Sequence, residues 1–442
     1  MSSASTDPRF SSWGGASATG SVAISAEAFL EGGAPCLPYG NGRSYGDTCL
    51  LSNGAMIEGR QRDAVLSFDA ETGLVTVEAG LFLSRLIAFS APRGWFPPVL
   101  PGTQFVTVGG AIANDIHGKN HHRRGSFGCH VESLVLLRSD RGRLTCSRDE
   151  NADLFAATIS GMGLTGLIER ATLRLMPIGS TAIEETVTRF GGLDDYFDLA
   201  EDADRRHEYA VAWIDSLATG SSFGRGHLIC GDHRAEGPRD GASRPPVASV
   251  PLTPPVSPLM GPSLKIFNEV YYRKAKPGTH SRSVPFDSFF FPLDRVGGWN
   301  RLYGPRGLCQ HQSVLPETGA RAGVRALMAC AQDFGQGSFL TVLKRFGAIE
   351  SPGLTSFPRP GFTLTLDFPD RGPKTLALLA ELDRITIDAG GAVNPYKQHR
   401  MSPATFAASF PRHGELERLR DPSILSDFWS RTVLAGAVPS AA

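Results

Sequence analysis

The sequence predicts an α+β fold in two domains, and three observations predict it. The chain has 442 residues, long for a single hydrophobic core. Short strand-like and helix-like runs mix in it without the regular alternation of a doubly wound sheet. Composition shifts near residue 181, and clear patterning resumes at 285 after a proline-rich break.

The elements follow in order. Residues 33 to 59 alternate turns with short apolar runs, as in "APCLPYG" and "GAMIEG". "AVLSFDAETGLVTVEAG" (64–80) predicts two strands around the turn "AETG". "LFLSRLIAFSAPRG" carries apolar residues at helical spacing and ends at Pro92 and Gly94. "VESLVLLRSD" predicts a strand, "DLFAATISGMG" a helix and turn, and "LTGLIERATLRLMPI" a further strand region. Residues 234–262 hold eight prolines and almost no periodicity, which predicts a mobile loop. "PFDSFFFPLDRVGGWNRLYGPRGLCQHQSVLPE", "SFLTVLKRFG" and "GFTLTLDFP" then predict strands of an antiparallel sheet. "GVRALMACAQDFG" and "TLALLAELDRITIDAGG" predict helices, the second stopped by Gly390 and Gly391.

Bulk properties exclude several classes. Lys plus Arg balances Asp plus Glu at 44 each, so no field of one sign invites nucleic acid. The seven cysteines include no C-x-x-C pair, which argues against a disulfide framework or a zinc knuckle and for a reducing compartment. The N-terminal stretch is polar, without a signal peptide's apolar run, and nowhere do 18 apolar residues run together.

The chemistry concentrates in three glycine-rich segments. "YGNGRSYGD" (39–47) has glycines at 40, 42 and 46, one residue too long for G-x-G-x-x-G, and no helical pattern follows. Such a turn still lets N–H groups curl around an anion. "PGTQ" (101–104) with "TVGGAIA" (107–113) lets a short helix start against a ligand, and "GMGLTG" (161–166) repeats the theme. Three such segments in one half predict a cradle for a long ligand with a diphosphate and flat rings. "DIHGKNHHRR" (115–124) places His117 and His121 at the i, i+4 spacing of a zinc helix, but residue 118 is Gly and no general base lies between them. We therefore expect no metal, and a solvated turn at Arg123 and Arg124.

These segments resemble the flavin domain of the vanillyl-alcohol oxidase superfamily. Within it they are similar to the decaprenylphosphoryl-β-D-ribose oxidase family. The shared signatures are "GRSYGD", "DIHGKNHH..GSFG.HV", "G.GLTG.I.RAT", "PLD…WNR.YGP.G..Q.Q", "F.L.VLK.FG", "DFP" and the final "K..R…TF…P", running from near residue 13 to near 430. The resemblance implies a vanillyl-alcohol-oxidase-type fold. An FAD-binding domain would span 1–180, completed by 390–442, and an antiparallel-sheet substrate domain would span 181–389.

It also implies roles. The "GRSYGD" loop would wrap the pyrophosphate through Gly40, Asn41, Gly42, Arg43, Ser44 and Tyr45. Many members bond a histidine of this loop covalently to the flavin; Arg43 stands there, so non-covalent FAD is expected. Gly102, Thr103, Gly109, Gly110, Ala113, Asn114 and His117 would meet the isoalloxazine, and Thr165, Gly166 and Ile168 the adenine side. Asn120 and His121 count among the cofactor contacts, and Lys119, His121 and His122 are candidate anchors for phosphate or sugar. His117 is the candidate donor or cation for the charge that hydride transfer leaves on the flavin.

Oxidising a secondary alcohol also needs a group of suitable pKa beside the hydroxyl. Lys397 matches the family's lysine, with Tyr45 able to share the work. Trp213, Phe290, Arg301, Gln310, Gln312, Lys344 and Thr365 match the sugar pocket. Phe290 stands where a tyrosine is frequent, Thr365 where a cysteine is, and Asn394 where a tyrosine precedes the lysine.

The implied reaction oxidises the 2-hydroxyl of a polyprenylphosphoryl-β-D-ribose to the 2-keto sugar, the first half of an epimerisation serving cell-wall arabinan. An NAD(P)H-dependent short-chain reductase would complete it. The expected location is cytoplasmic, peripheral at the inner membrane surface, with the loop 234–262 touching lipid. The alternatives are a soluble sugar or alditol oxidase using oxygen and a flavin-free sugar-phosphate-binding module.

Overall fold

A computed structural model describes residues 6–435. Three sheets organise the chain. The first is small and parallel, with strand Ala55–Glu58 between Val22–Ile24 and Cys36–Tyr39. The second is antiparallel, in the order Gly142–Ser147, Val131–Arg138, Leu167–Arg174, Leu74–Glu78, Val65–Phe68. Two of its strands are the hairpin expected around "AETG".

The third sheet has eight strands. Gly278–Pro285 forms one edge, followed by Ala182–Phe190, Gly226–His233, Tyr209–Ile214, Val342–Phe346, Gly361–Pro369, Leu308–Leu315 and Ala392–Val393. Its faces differ as a period of two requires. Leu343, Leu364 and Leu366 join a core with the helices Leu193–Arg206, Ala320–Asp333 and Pro373–Asp388. Their neighbours Lys344 and Thr365, and likewise Gln310, Gln312 and Trp213, line a cavity on the opposite face.

The C-terminal segment returns to the first sheet. Phe406, Leu416, Phe428 and Trp429 share a core with Phe10, Leu37 and Met56. Leu425 N–H donates to the Cys36 carbonyl at 2.9 Å, and Cys36 N–H to that of Ser423 at 2.8 Å. Arg431 pairs with Asp47 at 3.0 Å.

Two expectations need correction. Residues 286–303 hold only the two-residue strand Val296–Gly297: Phe286–Phe290 is a helical turn, and Pro292–Arg295 and Trp299–Tyr303 are 3-10 turns. Phe286, Phe289 and Phe290 sit at i, i+3, i+4 and are buried, a helical spacing the aromatic richness disguised. Pro285 and Pro292 bound the turn by removing N–H donors.

The segment 234–262 is not a free loop. Ala248–Ser249 pairs in parallel with Val296–Gly297, and Arg301 Nη1 donates to the Val250 and Pro251 carbonyls, each at 2.9 Å. Ser257 Oγ donates to the Leu302 carbonyl at 2.8 Å, and Leu259 packs with Trp299 and Tyr303. The proline run holds its shape by pairing with the chain around 295–302 rather than by periodic structure of its own. All seven cysteines are free thiols. Among the described residues no helix is long and apolar enough to cross a membrane.

Candidate active site

One cavity of about 1030 Å³ lies between the glycine-rich segments and the polar face of the eight-stranded sheet. That is at the top of the roughly 300–1,000 Å³ range of small-molecule sites, which suits a long ligand.

The glycine-rich wall is built by close backbone approach. Gly42 has φ +56°, and a Cβ there would lie 2.2 Å from the Ser11 carbonyl oxygen. A Cβ on Gly40 would lie 2.7 Å from Thr107 Oγ1, and one on Gly109 3.1 Å from Ala79 Cβ. These glycines therefore let protein segments meet each other. Gly102 is different: a Cβ there meets nothing within 4 Å, so its bare face opens on the cavity. Thr107 caps the helix Val108–Ala113 by accepting from Gly110 N–H at 3.1 Å. Arg43 lies over the Trp13 ring, 4.5 Å from its centroid, and its Nε is buried with no protein partner.

The sheet wall is built by side chains. Gln310 and Gln312 face the cavity, while His311 between them turns to Asp383 on the helix side at 3.1 Å. Lys397 Nζ stands 4.5 Å from the centroid of the Tyr45 ring. Asp367, fully buried, accepts from Gln310 Nε2 and from the Tyr303 hydroxyl. Burial pulls the Lys397 amine below the usual lysine range, and the Asp367 charge opposes that pull. Burial likewise raises the Asp367 carboxyl. A depressed amine beside an acceptor-rich wall can take a hydroxyl proton at moderate pH.

Most expected site residues line this one cavity: Gly40, Asn41, Gly42, Arg43, Ser44, Tyr45, Gly102, Thr103, Gly109, Gly110, Ala113, Asn114, His117, Lys119, Gly166, Ile168, Trp213, Phe290, Arg301, Gln310, Gln312, Lys344, Thr365 and Lys397. Three expected cofactor contacts do not. Asn120 is buried and donates to the Pro98 carbonyl and to Glu208; His121 packs on Phe346 at 4.6 Å; Thr165 Oγ1 bonds Thr158 Oγ1 at 2.8 Å. Each points into packed protein rather than into the cavity. His122 is also turned away, toward Asp204 at 3.4 Å.

Two expected roles change. Burial, Lys344 and Lys397 push the His117 imidazole well below its ordinary pKa, so it stays neutral and supplies no cation. Burial pushes the Tyr45 phenol far up, so it is a neutral hydroxyl rather than a base. Lys119 lines the cavity and donates one N–H to the Phe289 carbonyl.

Sequence reasoning missed Asp367 and Asp294. Asp294 lines the cavity and accepts from Gln104 N–H at 3.0 Å. Both aspartates sit inside quoted signatures, "DFP" and "PLD", and that was the available signal.

Comparison with known proteins agrees with this geometry. A family model described as an FAD binding domain matches residues 14–147. The chain is 35% identical over 401 residues to decaprenylphosphoryl-beta-D-ribose oxidase of Mycolicibacterium smegmatis, covering 88% of this chain and 86% of that protein. The chain belongs to the FAD-linked oxidases. An uncharacterised Streptomyces coelicolor protein is also 35% identical, over 77% of this chain and 96% of its own length. Mouse L-gulonolactone oxidase is 34% identical over 31% of each chain.

As a member of this family the protein is an FAD-dependent oxidoreductase acting on a CH–OH group, which sets aside the flavin-free binding module. The cavity fits FAD on three observations: its volume, the bare backbone at Gly102, and the unpartnered Arg43 Nε.

Proposed function

We propose that this FAD-linked oxidase oxidises the 2-hydroxyl of a polyprenylphosphoryl-β-D-ribose to the 2-keto sugar. The observation that carries the reading is Lys397: a half-buried, depressed amine faces the cavity with Gln310, Gln312, Lys344 and Thr365 beside it. The near-full-length likeness to a relative whose name specifies that substrate supports it. FAD, when bound, supplies the two-electron acceptor for the hydride that leaves the carbon.

The chain's own residues supply the rest. The units 1–180 and 390–442 hold FAD, and 181–389 holds the sugar. The segments around Gly40–Tyr45 and Thr107 hold the diphosphate, and Arg43 in place of histidine leaves the flavin non-covalent. Lys397 Nζ takes the hydroxyl proton as the C–O bond becomes a carbonyl. Gln310 and Gln312 orient the sugar, and Trp213 and Phe290 exclude water. The keto product is consumed by an NAD(P)H-dependent reductase.

The prenyl tail stays in lipid, since burying hydrocarbon is worth about 0.8 kcal/mol per methylene. The cavity mouth suits a peripheral approach to the membrane. Val247, Leu252 and Val256 of the proline-rich segment are exposed, as are Ile266 and Val270 of the helix Gly261–Lys274. Phe267 and Tyr271 of that helix line the cavity.

Anaerobic mixing tests the reaction. A prenylphosphoryl ribose should bleach the yellow flavin, while free sugars and alditols should not. Bleaching by free alditols, with oxygen uptake, would instead establish a soluble sugar oxidase. Leu252→Asp with Ile266→Asp should raise KM for a long-chain substrate and spare a short-chain analogue; equal effects on both would reject the membrane approach.

A further inference from the structure

Lys344 differs from Lys397 in the charges that act on it: the Asp367 carboxylate acts on Lys397, whereas only the cations Lys397 and Lys119 act on Lys344. The groups that face it are His117, Lys397, Lys119 and the Gly118 carbonyl. Its Nζ lies 3.2 Å from His117 Nδ1 and 3.3 Å from the Gly118 carbonyl oxygen. The other ring nitrogen of His117 lies 3.1 Å from Gln312 Nε2. A neutral imidazole has one N–H and one acceptor, so which nitrogen carries the proton decides what Lys344 can be.

The proton can be placed from a donor that has no ambiguity. The backbone N–H of Tyr396 points at the Asn394 side chain at 3.0 Å, so the atom facing it must be Oδ1. Asn394 Nδ2 is then the donor toward Gln312, 2.9 Å away, and the Gln312 atom facing it must be Oε1. Gln312 therefore directs its NH₂ at Thr363 Oγ1, 3.1 Å away, and at His117 Nε2. His117 Nε2 accepts, so its proton sits on Nδ1 and points at Lys344 Nζ. An ammonium has three N–H groups and no acceptor, so it cannot receive that hydrogen.

Every alternative leaves two donors face to face. Moving the His117 proton to Nε2 sets it against the Gln312 NH₂. Turning Gln312 over sets its NH₂ against that of Asn394, and turning Asn394 over sets its NH₂ against Tyr396 N–H. A buried donor left facing a donor loses its hydrogen bond and keeps the full cost of leaving water.

We propose that this relay, anchored at the Tyr396 N–H, holds Lys344 as an uncharged amine that donates one N–H to the cavity. The accounting closes. The lone pair receives His117 Nδ1–H, one hydrogen goes to the Gly118 carbonyl, and one remains for a ligand. Burial, then Lys397 and Lys119, pull the Lys344 amine down to about 7, which agrees in direction. Lys344 thus reads a neutral oxygen, such as a sugar hydroxyl or ring oxygen, and is not an anchor for phosphate. Asn394 and Gln312 are positioning residues that act through His117. The consequence for the ligand rests on the reaction proposed above; the charge state does not.

The test is the pH dependence of Lys344 labelling by an amine-reactive reagent in the FAD-loaded protein, read on its peptide by mass spectrometry. Only the neutral amine reacts. The wild type should label with a midpoint well below that of an ordinary lysine. Gln312→Met and Asn394→Ala remove different links without adding charge, and both should raise the midpoint by about one pH unit, a loss of labelling of about five-fold at the wild-type midpoint that approaches tenfold below it. Retained flavin absorbance shows that the variants are folded. A wild-type midpoint in the ordinary lysine range, or a midpoint unmoved in folded variants, overturns the proposal. The ¹⁵N shifts of His117 in the wild type give an answer that needs no variant: an Nδ1–H ring supports the relay and an Nε2–H ring overturns it. Neither readout uses a substrate, so each stands whether or not prenylphosphoryl ribose bleaches the flavin.

Discussion

The two walls of the cavity are made of different things. The glycine-rich wall is backbone: segments 40–46, 101–114 and 161–168 line it, and chain segments pack closely where side chains are absent, as Gly40 against Thr107, Gly42 against Ser11 and Gly109 against Ala79 show. The sheet wall is side chains: Gln310 is tied to Asp367 and Gln312 to Thr363 on the neighbouring strand, with Lys344 and Thr365 beside them. The first wall can hold a large cofactor through its shape. The second sets protonation states, so it is where the chemistry can be tuned by single atoms.

That contrast predicts which substitutions separate binding from turnover. The largest effect should come from Lys397→Ala, with flavin reduction by substrate falling about 10²–10⁴-fold, the worth of a placed acid–base group. FAD content, measured by absorbance, should be nearly unchanged. Loss of FAD in step with activity would break the comparison.

The reverse case is Gly42→Val. Its φ of +56° and the 2.2 Å approach to the Ser11 carbonyl make any side chain strained, at about 1–3 kcal/mol. Thermal stability and FAD occupancy should both fall, while the turnover of each molecule that keeps FAD should stay near wild type. Gly102→Ala should keep stability, because nothing lies within 4 Å of the added carbon.

A smaller effect concerns pH. The base must be unprotonated, so the rate of flavin reduction should rise with pH through the Lys397 titration and level off below the ordinary lysine value of about 10.4. Asp367 holds that titration up, so Asp367→Asn should move the limb to lower pH. An unmoved limb would remove Asp367 from the account.

The smallest effects test the margins. Heat or acid should release free FAD into the supernatant, since Arg43 offers no covalent bond; colour retained by the precipitate would contradict this. His121→Phe should change FAD binding little, because His121 packs on Phe346 outside the cavity lining.

The same contrast explains what the sequence made legible. The glycine segments could be read because a backbone requirement is local and shows in spacing. Lys397, Gln310 and Gln312 could be placed through signatures and, for the glutamines, strand alternation. Asn120, His121 and Thr165 lie inside those signatures too, yet a motif does not say which side of a turn faces the ligand. Asp367 was missed because its meaning comes from Gln310 and Tyr303, 57 and 64 residues away in the chain. The proline-rich segment looked free because its order comes from pairing with residues 295–302 rather than from its own pattern. The "FDSFFF" turn was readable, since its buried phenylalanines follow i, i+3, i+4, but aromatic richness suggested strand.

The most direct test of the central claim is anaerobic flavin reduction by prenylphosphoryl ribose carrying deuterium at C2. If the cavity oxidises the 2-hydroxyl, bleaching should slow several-fold with the label at C2 and not with the label at C3. Equal rates for labelled and unlabelled sugar in a single turnover limited by chemistry, or an effect from C3 alone, would contradict it.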